Sequence, residues 1–318
     1  MGGPILIFDT KADFYADKLR EYYPDLDVVG TSDMAVALQH GRDARVLVGL
    51  APALTPALVA SAPQLDWVQA LTTGVDNLLK PGVLPPHVTL TNCNGIHGPQ
   101  MSELAFLLML SLLRRFPEIL ANQAEGRWAR WPQPLLSGKT LCIVGLGAIA
   151  EDLAHRARAF GMRVTAVSNG RTQAPGFARV YPRAELGLAA TETDVLVVLV
   201  PYSASTHHIV DGAVLAAMKP AAVLVNIARG GCVDEAAVLA ALTEGQIAGA
   251  ALDVFATEPL PPESPLWSAP NCIVTPHIGG MSDSYHEQAL PLLIRNIGMW
   301  REGGTVALPG HIAHGGDA

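Results

Sequence analysis

TLCIVGLGAIAEDLAHRARAFG (140–161) is the stretch that decides the fold of this chain. Thr140 to Val144 form an apolar run as long as a buried strand, Gly145-Leu146-Gly147-Ala148-Ile149-Ala150 follows at once, and a helical pattern continues from Glu151. A strand that turns through G-x-G-x-x-A into a helix is the dinucleotide fingerprint of a β-α-β unit. Gly145 permits the tight turn. Gly147 has no Cβ, so a pyrophosphate can approach the backbone, and the amides of Ala148 and Ile149 at the helix start suit its charge. Ala150 at the third position is a tolerated replacement for glycine. A purely structural glycine turn would use the same letters; the flanking strand and helix distinguish the two.

The same rhythm extends in both directions. Downstream, MRVTAVS (162–168), DVLVVLV (194–200), AAVLVNIA (221–228), IAGAALDV (247–254) and NCIVT (271–275) are short, nearly continuous apolar runs, as expected of parallel strands buried on both faces. Upstream, ILIF (5–8), DVVG (27–30), RVLVGL (45–50), DWVQAL (66–71) and HVTLTN (87–92) read as strands, with FYADKLREYY, MAVALQH and TPALVASA at helical spacing between them. Between the two series the pattern predicts one long helix from about Pro99 to about Trp128. Its middle is apolar all round, so it crosses between domains or packs on another subunit. WPQPLLSGK (131–139) then resets the chain. A last helix is expected from Ser282 to about Arg301, followed by a glycine-rich, loosely held tail from Gly303. The expected class is α/β, with two Rossmann-like, doubly wound parallel-sheet domains.

Composition fits that class. At 318 residues two domains are the better prior. Half the residues are apolar and 16% charged, enough to bury a large core. The formal net charge of −8 argues against non-specific binding to nucleic acid or to anionic membranes. Cys93, Cys142, Cys232 and Cys272 have neither zinc nor redox spacing and read as small buried hydrophobes suited to a reducing compartment; no metal is expected. MGGPILIFDT (1–10) lacks the features of a signal peptide, and Met1-Gly2 lacks the serine or threonine of an acylation signal. LAFLLMLSLL (104–113) is too short to span a bilayer. The expected location is cytoplasmic.

The strand after the glycine loop usually ends in Asp or Glu, which binds the ribose hydroxyls of NAD. Here it ends Ser168-Asn169-Gly170-Arg171-Thr172. A carboxylate there would repel a 2′-phosphate, whereas Ser168, Asn169 and Arg171 can hold one by hydrogen bonds and charge. NADP is therefore expected over NAD, with NAD the weaker alternative, unless Arg171 is only a solvated loop residue.

Three later segments each put one polar, chemically capable residue just after an apolar run. They are VLVNIARGG (223–231) with Arg229, GAALDVFATEP (249–259) with Glu258, and NCIVTPHIGG (271–280) with His277. A guanidinium, a carboxylate and an imidazole suffice to bind a carboxylate substrate and pass a proton to its carbonyl. In these segments, and in LTTGVDNL (71–78), LSGKT, GLGAIA and VPYSASTHHIV (200–210), the chain resembles the D-isomer-specific 2-hydroxyacid dehydrogenase family over nearly its whole length. The ending of the second strand looks most like the NADP-dependent glyoxylate/hydroxypyruvate reductase branch.

The resemblance implies a dinucleotide-binding Rossmann domain over 97–282 and a discontinuous, flavodoxin-like substrate-binding domain from 1–96 plus 283–318. It also implies an active site in the cleft between them and a homodimer formed through the cofactor domain. It assigns Arg229 to the substrate carboxylate, His277 to acid–base work and Glu258 to the carboxylate paired with that imidazole. Asp253 would accept from the nicotinamide carboxamide. Thr73, Gly74 and Val75 would cradle the substrate carboxylate with their amides. Met101 and Ser102 would face the nicotinamide. Pro201, Ile227 and Ala228, together with Arg229, His277, Gly279 and Gly280, would line the cofactor.

Departures are Ala150, Thr257 where an acidic residue is frequent, and Met281-Ser282-Asp283 in place of a small-residue-and-threonine run; the last could reshape the pocket floor. The function expected is reduction of a small 2-keto acid such as glyoxylate or hydroxypyruvate to the D-hydroxy acid. The alternatives are a catalytically weak, dinucleotide-sensing protein like the corepressors of this fold, and a phosphite or formate dehydrogenase relative, against which the Glu258–His277 pair argues.

Overall fold

Five short strands, β1 (Ile5–Phe8), β2 (Val28–Thr31), β3 (Val46–Gly49), β4 (Trp67–Ala70) and β5 (Thr89–Thr91), form a parallel sheet in the order β5-β4-β3-β1-β2, which is the flavodoxin order. They alternate with α1 (Ala12–Tyr22), α2 (Met34–Gly41) and α3 (Pro56–Ala60). The strands read as unbroken apolar runs because both faces are covered. Ile5 and Ile7 pack with Tyr15 and Leu19 of α1, while Leu6 between them packs with Ala37 of α2 and Leu58 of α3. The computed structural model describes residues 3–305 and 308–314. The chain divides into two units, 1–96 with 282–318, and 97–281.

The second unit begins with α4 (Gly98–Leu113) and α5 (Phe116–Ala124). It continues through β6 (Thr140–Val144), α6 (Ala148–Ala159), β7 (Arg163–Ser168), β8 (Arg179–Pro182), α7 (Leu186–Glu192), β9 (Val195–Val198), α8 (Gly212–Ala217), β10 (Val223–Asn226), α9 (Glu235–Thr243), β11 (Gly249–Leu252) and β12 (Cys272–Val274). The seven strands are parallel and ordered β12-β11-β10-β9-β6-β7-β8. The order reverses between β6 and β9, which sets the topological switch point, the usual ligand crevice of such sheets, beside the glycine loop. The chain then returns to the first unit. There α10 (Tyr285–Gly303) places Ala289, Leu293 and Ile297 on the face already covered by α1, and β13 (His311–Ile312) pairs antiparallel with β5. The doubly wound α/β class expected from the sequence is therefore the observed one.

Three details differ from the expectation. The long helix is two helices: Arg115 takes a left-handed backbone (φ 54°, ψ 45°) and α5 starts at Phe116. Pro117 explains the break, because it has no N–H for the carbonyl four residues back but fits a first helical turn. On one side α4 packs Met101, Ala105, Leu108 and Met109 in one cluster with α6 and its own sheet, while Leu107 on the same helix is exposed. The tail is not loose where it is described: Leu308 is buried, β13 extends the sheet, and the His314 imidazole meets the Val88 carbonyl. Finally, β8 has no counterpart among the strands expected from the sequence. The acylation reading at Met1-Gly2 and the tail at 306–307 and 315–318 lie outside the described residues.

Cys93, Cys142 and Cys232 are buried and Cys272 is half-buried; all four are free thiols. Burial pushes the Cys93 thiol up to about 12. No helix among the described residues is long and apolar enough to cross a membrane.

Candidate active site

The glycine loop has the backbone its sequence requires. Gly145 sits at φ +107° and its N–H donates to the Val167 carbonyl (2.9 Å). A Cβ there would press on the backbone of Leu199 and Val200 at 2.9 Å, so only glycine fits. Gly147 caps α6, and a Cβ on it would meet nothing within 4 Å. That open space above the first turn, where Ala148 and Ile149 begin the helix, fits a dinucleotide pyrophosphate. Ala150 is buried in the sheet–helix core, which explains a small residue at the third position.

At the end of β7 the Ser168 hydroxyl oxygen accepts from the amides of Gly170 (3.3 Å) and Arg171 (3.1 Å) and shapes the turn. The Arg171 guanidinium is paired with Glu151 on the first turn of α6 at 2.6 Å. Ser168 and Asn169 line a pocket with Gly145, Pro201, Ile209 and Arg183. Its volume, about 160 Å³, is below the roughly 300–1,000 Å³ of a pocket for a drug-sized ligand, so it suits one portion of a dinucleotide. Arg183 gives no signal in the sequence because the strand that delivers it gives none.

Arg229, Glu258 and His277 follow β10, β11 and β12, three neighbouring parallel strands whose last residues, Asn226, Leu252 and Val274, are in register. Strands lie about 4.8 Å apart, so the three loops are adjacent. Glu258 Oε2 meets His277 Nδ1 at 2.7 Å, and its Oε1 accepts from the Phe255 amide at 2.9 Å. The His277 and Glu258 side chains remain 45% and 35% exposed. Arg229 is half-buried; one of its guanidinium N–H groups donates to the Ala228 carbonyl at 2.6 Å. Asn226 ties that turn together, donating to the Arg229 carbonyl and accepting from the Ala228 amide. Ile227 and Ala228 are buried beneath it.

His277 has a left-handed backbone (φ 53°), a conformation that costs a bulky residue about 1–3 kcal/mol and persists only where its surroundings enforce it. Asp253 does the enforcing. Its carbonyl accepts from the His277 amide (2.8 Å), and its carboxylate accepts from the Thr275 hydroxyl (2.6 Å), the Ile278 amide (3.0 Å) and the Gly279 amide (2.9 Å). Oδ1 takes two of these bonds and Oδ2 only the one from Gly279, so Oδ2 keeps a further lone pair for the nicotinamide contact that the family resemblance implies. Gly279 approaches so closely that a Cβ would press on Leu104, Met101 and Asp253 itself, while Gly280 has more room.

Asp253→Asn loses charge on three donors and turns an NH2 toward some of them. We expect a loss of about 1–3 kcal/mol of stability together with reduced turnover, measured by denaturant unfolding and steady-state kinetics; wild-type values for both would remove the bracing role.

Glu235 is a further residue that sequence reasoning missed: its carboxylate accepts from the Ala256 amide at 2.6 Å and holds the loop that carries Glu258. Gly230 packs on the same loop, where a Cβ would overlap the backbone of Phe255 and Ala256.

In the first unit, both carbonyls of the expected anion turn are taken by side chains. The Thr72 hydroxyl donates to Gly74 and the Asn92 amide to Thr73, while Val75 is buried. Ser102 is buried and donates to Asp152 at 2.6 Å, so it links α4 to α6.

A flavodoxin-ordered sheet, a Rossmann sheet with an intact glycine loop and an imidazole–carboxylate pair at its strand ends together define a dinucleotide-dependent oxidoreductase. Residues 106–279 match the model of the D-isomer specific 2-hydroxyacid dehydrogenase NAD binding domain. A glyoxylate/hydroxypyruvate reductase A of Arabidopsis thaliana is 32% identical over 310 residues, 96% of this chain and 98% of the relative. A D-isomer specific 2-hydroxyacid dehydrogenase family protein from Aeromonas salmonicida superposes with TM-score 0.91 at 34% identity, covering 98% of this chain and 99% of that one. An NADPH-dependent glyoxylate/hydroxypyruvate reductase from Sinorhizobium meliloti, solved with NADP and sulfate, superposes with TM-score 0.82 at 28% identity over 97% and 98% of the two chains. The chain belongs to the D-isomer specific 2-hydroxyacid dehydrogenase family. It is an oxidoreductase with an NAD(P)-binding domain, and these relatives support a 2-hydroxyacid dehydrogenase, not the corepressor-like alternative.

Proposed function

We propose that this chain is an NADP(H)-preferring reductase of small 2-keto acids, with glyoxylate and hydroxypyruvate the first substrates to test and the D-hydroxy acid as product. The observation that carries the chemistry is the 2.7 Å contact between Glu258 Oε2 and His277 Nδ1. It leaves Nε2 as the ring nitrogen for the substrate, and the carboxylate fixes the orientation of the ring. Arg229 binds the substrate carboxylate and polarises the 2-keto oxygen. The bound nicotinamide would supply hydride to the carbonyl carbon. His277 Nε2 gives its proton to the carbonyl oxygen, which completes the alcohol; the exposed ring then takes a proton from solvent.

The absence of an acid at Ser168–Arg171 supports NADP over NAD, as does the NADP bound by the Sinorhizobium relative. Initial rates over a panel of 2-keto acids with NADPH and NADH test both parts. The expected result is turnover of the smallest acids, faster with NADPH; preference for NADH would remove the cofactor assignment, and a silent panel the substrate class.

We place the enzyme in the cytoplasm as a homodimer formed through the dinucleotide-binding unit. Support for the dimer comes from that unit's exposed apolar residues, Leu107 on α4, Phe116 and Leu120 on α5, and the 91% exposed Trp128 that follows them in the chain, which a second copy would cover. Sedimentation should give twice the chain mass, and a monomer at micromolar concentration would contradict it.

A further inference from the structure

Building on the NADP reading above, we propose that Arg183, rather than Arg171, is the main cation for the 2′-phosphate, and that Glu151 limits what Arg171 contributes. The placement follows from the sheet. In the β7–β8 ladder Ser168 is the partner of Pro182, so Asn169 and Arg183 leave the carboxyl ends of adjacent parallel strands side by side. Both line the pocket beside the glycine loop, together with Ser168. Arg171 does not line it.

The charges point the same way. Arg171 is already neutralised by Glu151 at 2.6 Å, and a phosphate dianion brought to Arg171 also meets that carboxylate. Arg183 makes no ion pair among the described residues. Its guanidinium is steadied instead by neutral oxygens, the Ser205 carbonyl at 3.3 Å and the Ser205 hydroxyl at 3.2 Å, on the loop after β9. A guanidinium with its full charge, oriented by a neighbouring loop, suits a phosphate. The other arginine of this edge, Arg179, is occupied by Glu185 and the Tyr181 ring. The Arg171–Glu151 pair is exposed on both sides, and such pairs are held weakly. Arg171 can therefore turn toward the phosphate as a secondary contact, to a degree set by Glu151.

The test measures binding of adenosine 2′,5′-bisphosphate and of 5′-AMP to the full-length protein by calorimetry. Wild type should bind the bisphosphate more tightly. Arg183→Ala should weaken it by about tenfold or more, the effect of losing one charge-assisted contact, while 5′-AMP binding stays near wild type and shows that the pocket is intact. Arg183→Lys should retain part of the preference. Arg171→Ala should change bisphosphate binding by about threefold or less. Glu151→Gln should tighten it, and the gain should vanish when Arg171→Ala is added. If Arg183→Ala leaves the preference unchanged, or Arg171→Ala causes the larger loss, the assignment to Arg183 is overturned while the NADP reading stands. If wild type shows no preference for the 2′-phosphate, the NADP reading itself falls, and this proposal with it.

Discussion

Replacing His277 by alanine is expected to lower kcat by about 10²–10⁴-fold, the usual contribution of a positioned general acid, and to leave dinucleotide binding close to wild type. The imidazole is held from both ends: Glu258 fixes Nδ1, and the Asp253 brace fixes the backbone. What the variant loses is therefore the proton donor, not the loop. The glycine loop, Ser168 and the pocket around Asn169 lie at the ends of β6 and β7, on other strands of the sheet. Stopped-flow reduction of a 2-keto acid with NADPH, alongside a fluorescence titration of NADPH, separates the two effects. Turnover within a few-fold of wild type would take His277 out of the proton relay. Glu258→Gln should fall between the two enzymes, because the amide retains an oxygen that can accept from Nδ1 but offers only a neutral, weaker hydrogen bond to hold the ring.

Arg229→Lys should reduce kcat/KM by about 10²-fold or more, the range seen when one preorganised donor to a developing oxyanion is lost. Lysine keeps the charge, but a point charge cannot bind a carboxylate through two parallel N–H bonds while polarising the adjacent ketone oxygen. The Arg229 plane is set by the Ala228 carbonyl and its turn by Asn226, so the fork is aimed before substrate arrives. A lysine would also forfeit that orientation. The measurement is a kcat and KM series for 2-keto acids of increasing size. Unchanged kinetics for Arg229→Lys would mean that the substrate carboxylate is bound elsewhere.

Much of the fold was legible because strands buried on both faces must be apolar throughout. Val195–Val198 and Val223–Asn226 announce themselves for that reason. The strand Arg179–Pro182 did not, since it lies at the sheet edge and carries charge and proline. Its omission hid Arg183, whose importance depends entirely on emerging next to Ser168. The break at Arg115 was readable from Pro117, but the apolar letters on both sides outweighed it. Nothing around Glu235 marks it as a support for the Glu258 loop. Its partner amide, Ala256, is distant in sequence and meets it only because the chain after β11 folds back over α9.

By itself, the sequence determined the doubly wound α/β class, the glycine loop and the identity of the three polar residues that end successive strands. Those are local properties, set by burial period, by the need for glycine at a positive φ, and by side-chain chemistry. Tertiary structure alone decided that β10, β11 and β12 lie in order, so that Arg229, Glu258 and His277 share one rim of the sheet. It also turned Asp253 into the brace of a strained histidine and put Glu151 on Arg171. Hydrogen bonds and ion pairs between residues far apart in sequence depend on strand order and loop return, and no local pattern of letters encodes either.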